Sequence, residues 1–263
     1  FTQVGNLYTE HETERAKEVA FYQRQEARNA KRIAEDPDYS PKFRKYTGKE
    51  TFFDQIITSL ITVLSGFTLA AIVAVPLGIT LGLSQSLSTA INPLIQLFKP
   101  VSPLAWLPLV TMVVSAVYVT ADPLLAKSFI TSVITVMLCS LWPMVINTTQ
   151  GVASVEQDLV NVSRVLSLSP LKHVQKIVLP ASLPMIFTGM RLSLSVAWMV
   201  LIAAEMLAQS PGLGKFVWDE FQNGSSESLS RIMTAVLVIG FIGLLLDKGM
   251  MQLQKVLSWD KSA

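Results

Sequence analysis

Hydrophobic and polar positions fall in long blocks along this chain. Residues 8–36 (YTEHETERAKEVAFYQRQEARNAKRIAED) interleave helix formers with charges of both signs, the pattern of a solvated helix held partly by short-range ion pairs, with Pro37 and Pro41 as its predicted stop. A polar link runs to about Glu50, where the composition switches abruptly. Five apolar runs follow, near 56–83, 104–119, 124–146, 183–208 and 232–250, and each reads as a spanning helix. Such a helix needs about 20 mostly apolar residues to cross roughly 30 Å of hydrocarbon. The first carries Pro76 and the small-xxx-small pair Gly78 and Gly82, features tolerated in bilayer helices where close packing matters. The second is short and begins among Pro100, Pro103 and Pro108, which predicts a broken, tilted or protein-covered span. The fold class expected is therefore an all-α polytopic membrane protein, with residues 1–50 as a charged helical segment and linker and 51–263 as the transmembrane domain.

Composition agrees with lipid as the solvent. Of the 263 residues 51% are hydrophobic and 15% charged, and the mean hydropathy is +0.46. Soluble domains carry about a quarter charged residues, and five apolar runs leave too little sequence for a soluble protein's polar exterior. Ten of the 21 Lys and Arg lie in the first fifty residues, but nine acidic residues share that stretch, so no unopposed basic footprint for nucleic acid exists. Cys139 is the single cysteine and excludes an intrachain disulfide. Orientation follows from basic residues in short loops. With the loops 84–103 and 147–182 and the C-terminal tail cytoplasmic, that side holds Lys99, Arg164, Lys172, Lys176, Lys248, Lys255 and Lys261, against Lys127, Lys215 and Arg231 outside. Five spans then place residues 1–50 outside, and a sixth span is expected before Phe1.

The loop SVEQDLVNVSRVLSLSPLKHVQKIVLPASLP, residues 154–184, has the most internal order. Ser154 and Gln157 form a capping-box pattern for a first short helix whose Val155, Leu159, Val162 and Leu166 share a face. Ser169 and Pro170 read as the N-cap and first position of a second, with Leu171, Val174 and Val178 apolar, and Pro180 and Pro184 predict another break before the next span. Two short amphipathic helices around a turn at Leu166–Ser169 are the expectation. Such a hairpin could be purely structural.

This loop resembles the cytoplasmic coupling loop of binding-protein-dependent ABC importer permeases, whose pattern is Glu-Ala-Ala, a later Gly, and a terminal Leu-Pro. Matched back from Leu179 and Pro180, the Glu-Ala-Ala positions fall on Asn161, Val162 and Ser163 and the Gly position on Ser167, so the most characteristic residues are replaced. NPLIQLFKPVSPLAWLPL (92–109), FTGMRLSLSVAWMVLIAAEML (187–207), PGLGKFVW (211–218) and LLLDKGMMQLQKVLSW (244–259) resemble the branch importing nitrate, nitrite, bicarbonate, taurine and sulfonates. The charged segment before residue 50 is most similar to the nitrate and bicarbonate members, nitrate the closer. The resemblance implies a type I ABC importer permease fold in the plasma (inner) membrane. It also implies a second permease copy, cytoplasmic ABC ATPase subunits and a soluble substrate-binding protein as partners. Asn161, Val162, Ser163, Arg164, Val165, Leu166, Ser167, Leu168 and Ser169 would then be the ATPase-coupling residues, with residues 8–36 an external element for receiving the binding protein. ATP and Mg²⁺ would reside on the partner, and this chain would bind no cofactor. Its own sequence has no G-x-x-x-x-G-K-[ST] loop: Gly212-Leu213-Gly214-Lys215-Phe216 lacks the first spacing and the hydroxyl residue.

Ionisable residues within a span are functional candidates by default. Arg191 and Glu205 lie in the fourth run, with Ser195 and Trp198 on the same face, and a separation of about 21 Å along a straight helix keeps the two charges apart. This face could line the pathway or the contact between permease copies. Alternatively Arg191 snorkels to the cytoplasmic interface and Glu205 makes a helix-to-helix contact. Thr58, Ser59, Thr62 and Ser65, and Thr111, Ser115, Ser128, Ser132 and Thr135, are hydroxyl groups suited to a weakly hydrated monovalent anion, Thr62 and Ser132 being the leading candidates. Hydroxyls in bilayer helices commonly bond within or between helices instead.

No metal or covalent-catalysis site is predicted: His11-Glu12-Thr13-Glu14-Arg15 lacks the second His of a zinc helix, and His173 stands alone in the loop. Two other classes remain. A gradient-driven transporter or channel would be favoured by inverted repeats, and a membrane enzyme by paired carboxylates or an activated nucleophile in the spans; neither signal is evident.

Overall fold

A computed structural model describes residues 2–35, 40–41, 43–119 and 126–257. Ten α-helices follow in chain order: α1 (Thr2–Glu35), α2 (Phe52–Leu83), α3 (Gln85–Phe98), α4 (Pro103–Val117), α5 (Lys127–Ala153), α6 (Gln157–Val165), α7 (Pro170–His173), α8 (Leu179–Ala208), α9 (Leu213–Asn223) and α10 (Ser228–Leu257). The predicted stop at Pro37, the first residues of the run beginning at 124, and Lys261 lie outside the described residues.

Among the described residues, helices α2, α5, α7 continued through α8, and α10 are each long and apolar enough to cross a membrane, and the bent pair α3 and α4 is so only when taken together, giving four spans or five. The sequence places a loop at 84–103, but Ser84 caps a helix there, its Oγ accepting from Leu87 N at 3.4 Å. The chain then turns by 96° at residues 99–102, where Ser102 caps α4 and Pro103 occupies its first position. Phe98 stacks on Trp142 at 6.0 Å and fastens the elbow to α5. The broken second span is therefore two helices.

The bundle centre is α2 against α5 and α5 against α8. A Cβ added at Gly78 would lie 2.5 Å from Thr148 Cβ, and one at Gly82 would lie 2.5 Å from Val152 Cβ, so the small pair read in the sequence is where α2 meets α5. Val63, Val136, Ala197 and Leu201 close one half of this core, and Ala70, Ala74, Met144 and Val145 the other. Helix α10 lies outside, with Leu237 and Phe241 exposed as expected for a lipid-facing surface.

Pro180 and Pro184 do not break the chain. A π-helical turn at Val174–Val178 joins α7 to α8 continuously, with Leu179 N–H reaching back to Val174 O. A proline inside a helix lacks an N–H and its ring crowds the carbonyl four residues back. Widening the preceding turn relieves that conflict.

Helix α1 is longer than predicted, starting at Thr2, and Leu7 is its buried apolar anchor. Residues 43–51 fold back along it. The Gln25 amide brackets Arg44, accepting from its N–H at 3.0 Å and donating to its carbonyl at 3.1 Å. Ion pairs Lys49–Glu10 (3.0 Å) and Arg15–Asp54 (2.7 Å) tie it to the start of α2. Lys17, bonded to Glu14 at 2.6 Å, holds the Glu14 carboxyl below its ordinary range. Thr51 and Asp54 complete a capping box at the entrance to α2.

Candidate functional site

Three places carry the predicted residues: the turn after α6, the junction of α8 with α9, and an ion pair between α8 and α10. They do not form one cluster.

Helix α6 begins at Gln157 with Glu156 as its N-cap and no side-chain cap bond, so the predicted capping box is absent. Ser154 instead ends α5, its Oγ donating to Gly151 O at 3.0 Å. Ser169 and Pro170 do open α7, although the Ser169 side chain makes no cap bond. Between them Leu168 N–H bonds Ser163 O at 3.1 Å and Ser167 N–H bonds Arg164 O at 3.0 Å, the paired bonds that close a helix through a left-handed residue. That residue is Ser167, at φ 48°. It is the position that the resemblance aligned with glycine, and the backbone explains why glycine suits it. His173 Nδ1 lies 2.8 Å from Ser163 Oγ and pins α7 to α6. Ser163 is therefore buried and structural, whereas Val165 is 84% exposed and Leu166 62%. Val162 and Leu171 are also exposed, so apolar residues of both short helices face outward beside the turn. Asn161 and Arg164 flank it, exposed.

Glu205 is 1% exposed and bonded on every side. Its carboxyl lies 2.7 Å from Ser59 Oγ and accepts Gly214 N–H at 2.9 Å, while Ser59 Oγ accepts Leu213 N–H at 2.9 Å. The carboxyl group thus sits at the N-terminus of α9, where unpaired amides and the helix dipole favour an acceptor. Two glycines permit the approach. Gly212 has φ 152°, and a Cβ there would run into the Glu205 carboxyl; a Cβ on Gly214 would strike Ile202 O. Of the two readings of Glu205, the geometry matches the helix-to-helix contact. Helix α9 itself falls in a stretch for which the sequence predicted no element.

A cavity of about 140 Å³ adjoins this junction, lined among others by Thr62, Ser132, Ser210, Glu205 and Glu50. Thr62 donates to Thr58 O at 2.8 Å, and Ser132 and Ser210 meet at 3.3 Å. Thr58, Ser65, Thr111 and Thr135 likewise bond carbonyls four residues back in their own helices. In the cavity lining, the Thr62 proton is thus engaged within α2, and Ser132 and Ser210 share one of their two protons beside the Glu205 carboxyl group.

Arg191 is paired across helices. Its Nε and Nη2 donate to the two oxygens of Asp247 in α10, at 3.0 and 3.1 Å. Trp198 is buried on the same side, its Nε1 donating to Ile239 O at 3.1 Å, and Ser195 is exposed with its hydroxyl on Arg191 O. Arg191 and Trp198 thus face α10, while Glu205 faces α2 and α9. Asp247 and Ser210 are partners that no motif singled out, and Ser59, one of the candidate hydroxyls, is the partner of Glu205.

The comparisons fit this architecture. The family of binding-protein-dependent transport system inner membrane components matches residues 74–258. A bicarbonate transport system permease protein, CmpB of Synechocystis sp., is 39% identical over 207 residues, covering 78% of this chain and 69% of its own. The nitrate import permease protein NrtB of Synechocystis sp. is 39% identical over 194 residues, covering 74% and 66%. Among solved structures, an inward-facing MetNI methionine ABC transporter chain aligns with a TM-score of 0.67 at 12% identity, covering 78% of this chain and 95% of that one. A family match across most of the spans, on a helix order that the importer fold shares, shows that the chain belongs to the binding-protein-dependent transport system inner membrane components and is a multi-pass permease of the ABC importer type.

Proposed function

We propose that this permease, paired with a second copy, carries a small monovalent oxyanion inward across the membrane. Nitrate or nitrite is the leading cargo. Bicarbonate is the second reading, favoured by an equally similar relative, the CmpB permease. The observation that carries the transport mechanism is the exposed apolar turn at Val165 and Leu166, held rigid by the closure at Ser167. An apolar knob of this kind needs a receiving groove. On a chain without a phosphate-binding loop, the owner of that groove is a cytoplasmic ATPase. ATP, with Mg²⁺, binds to two such partner subunits, and their closure is passed through α6 and α7 into α8, which the π turn joins to α7 without a break. The continuous helix makes the turn a lever on the spans. A soluble binding protein delivers the anion on the opposite face.

Uptake of labelled nitrate and labelled bicarbonate into proteoliposomes holding the full complex, with binding protein and ATP supplied, tests the cargo. ATP-dependent uptake of nitrate is expected, and uptake of bicarbonate alone would transfer the assignment to the second reading. Movement of neither would refute the oxyanion reading altogether. Orientation has its own check. Lys172, exposed in α7, is expected on the cytoplasmic side. In a Cys139→Ser background, Lys172→Cys should resist membrane-impermeant thiol reagents in sealed cells and react after the cells are opened. Labelling from outside would invert the topology.

A further inference from the structure

The two halves of α1 are held by different parts of the chain. The first half is tied to the spans: Leu7 is buried in the core, Glu10 lies 3.6 Å from Arg231, and Arg15 pairs with Asp54 at 2.7 Å. From Phe21 onward the brace is the returning link instead. Tyr22 Oη accepts Tyr46 N–H at 3.2 Å, the rings of Phe21 and Tyr46 meet at 5.5 Å, and the Gln25 amide, which is buried, brackets the Arg44 backbone. Asn29, one turn on, is buried as well. Fixing a link residue in one backbone conformation costs about 1–2 kcal/mol, and a solvated spacer has no use for buried amides. The brace holds the second half of α1 in one place, and side chains already in place lose less entropy when they bind.

That half carries an unpaired basic stripe. Arg24, Arg28 and Lys31 are exposed and have no ion-pair partner among the described residues. At 3.6 residues per turn they fall within roughly 60° of one another around the helix. The exposed apolar residues Val4, Tyr8, Val19 and Ile33 fall on the opposite flank, with Glu26 among them. A helix lying on a lipid surface sets its basic side chains beside its apolar face. Here the two are opposed, and a carboxylate interrupts the apolar line. A two-fold axis through the stripe would bring like charges together, which disfavours a second copy as its cover. The chemistry left is an acidic surface that arrives through water.

We propose that Arg24, Arg28 and Lys31 form a docking stripe for an acidic surface on the soluble binding protein. This rests on the importer reading above and on the orientation that places α1 outside. The test measures ATP hydrolysis and anion uptake by the full complex in proteoliposomes as a function of the concentration of anion-loaded binding protein. Arg24→Glu, Arg28→Glu and Lys31→Glu together reverse the stripe at exposed positions, so assembly and basal hydrolysis are expected to stay at wild-type levels. The half-saturating concentration of binding protein should rise at least tenfold at low salt with the maximal rate retained. The gap should close as salt is added, because the screening length falls from about 30 Å at 0.01 M to about 3 Å at 1 M. Glutamine at all three positions should fall between. Unchanged half-saturation, or a rise that salt does not diminish, would overturn the docking stripe. A defect that appears only in vesicles of anionic lipid would make it a lipid contact, and loss of the second permease copy would make it a subunit contact; either result overturns docking while leaving the importer reading intact. Wild-type complex that binding protein fails to stimulate overturns both.

Discussion

Leu166→Asp is expected to abolish association with the ATPase while leaving the permease inserted and folded. Leu166 is the C-cap of α6 and 62% exposed, and its neighbour Val165 is more exposed still, so neither contributes to the core clusters between the spans. The backbone bonds that shape the turn come from Leu168 and Ser167 amides and do not involve the Leu166 side chain. The variant therefore keeps the knob and changes its chemistry. A carboxylate carried into an apolar groove without a partner loses its hydration, at a cost on the order of 4 kcal/mol. That is roughly a thousandfold in binding. The readout is co-purification of the ATPase with the permease, followed by substrate-stimulated hydrolysis and uptake. Leu166→Met, similar in volume and apolar, should retain all three. If Leu166→Asp assembled and transported at the normal rate, this turn would not be the coupling element.

The elements that could be read in the sequence are those whose signal is local. Apolar runs of spanning length located α2, α5, α8 and α10, since hydrocarbon imposes the length and the composition together. Gly78 and Gly82 announced a close helix contact because only missing side chains permit one, and the contact proved to be with α5. Capping was less legible. Ser154 and Gln157 have the spacing of a capping box, but Ser154 was already engaged in ending α5, and a pattern of residue types does not say which helix owns a serine. Pro180 and Pro184 read as breaks because the remedy, a π turn, depends on carbonyl positions rather than on any residue type. Arg191 and Glu205 were visible as charges in an apolar run, but their partners came from distant segments. Asp247 stands 56 positions away and Ser59 146, and a single sequence carries no record of such pairings. An acid at the end of one apolar run and a lone arginine in another was the available hint for Arg191. For Glu205 the hint lay in Gly212 and Gly214, two glycines bracketing one residue just before a helical pattern, which is what a backbone needs to approach a buried group closely.

Glu205→Ala is expected to destabilise the permease through the junction of α2, α8 and α9 rather than through the anion pathway. The carboxyl group bonds Ser59 of α2 and the Gly214 amide of α9 from its own place near the end of α8, so one side chain joins three helices. Truncation leaves the Gly214 N–H and the Ser59 hydroxyl without their acceptor in a closed site, and buried donors left unpaired cost about 1–3 kcal/mol each. Part of this is recovered because a desolvated polar group has also been removed. A net loss of about 3 kcal/mol follows, and at roughly 2–4 °C per kcal/mol the melting temperature of the detergent-solubilised chain should drop by roughly 10 °C. Glu205→Gln keeps one carbonyl acceptor and most of the volume, and should lose less than half as much. Gly212→Ala attacks the same junction from the opposite side: its Cβ would meet the Glu205 carboxyl at a backbone angle that only glycine adopts readily, so it should resemble Glu205→Ala. The distinguishing measurement is the relation between stability and turnover. A gate residue would change uptake with little change in melting, whereas a cap that anchors α9 should lower the melting temperature first, with the half-saturating anion concentration unchanged in whatever complex remains assembled. An unaltered melting temperature for Glu205→Ala, together with lost uptake, would contradict the anchoring role and return Glu205 to the pathway.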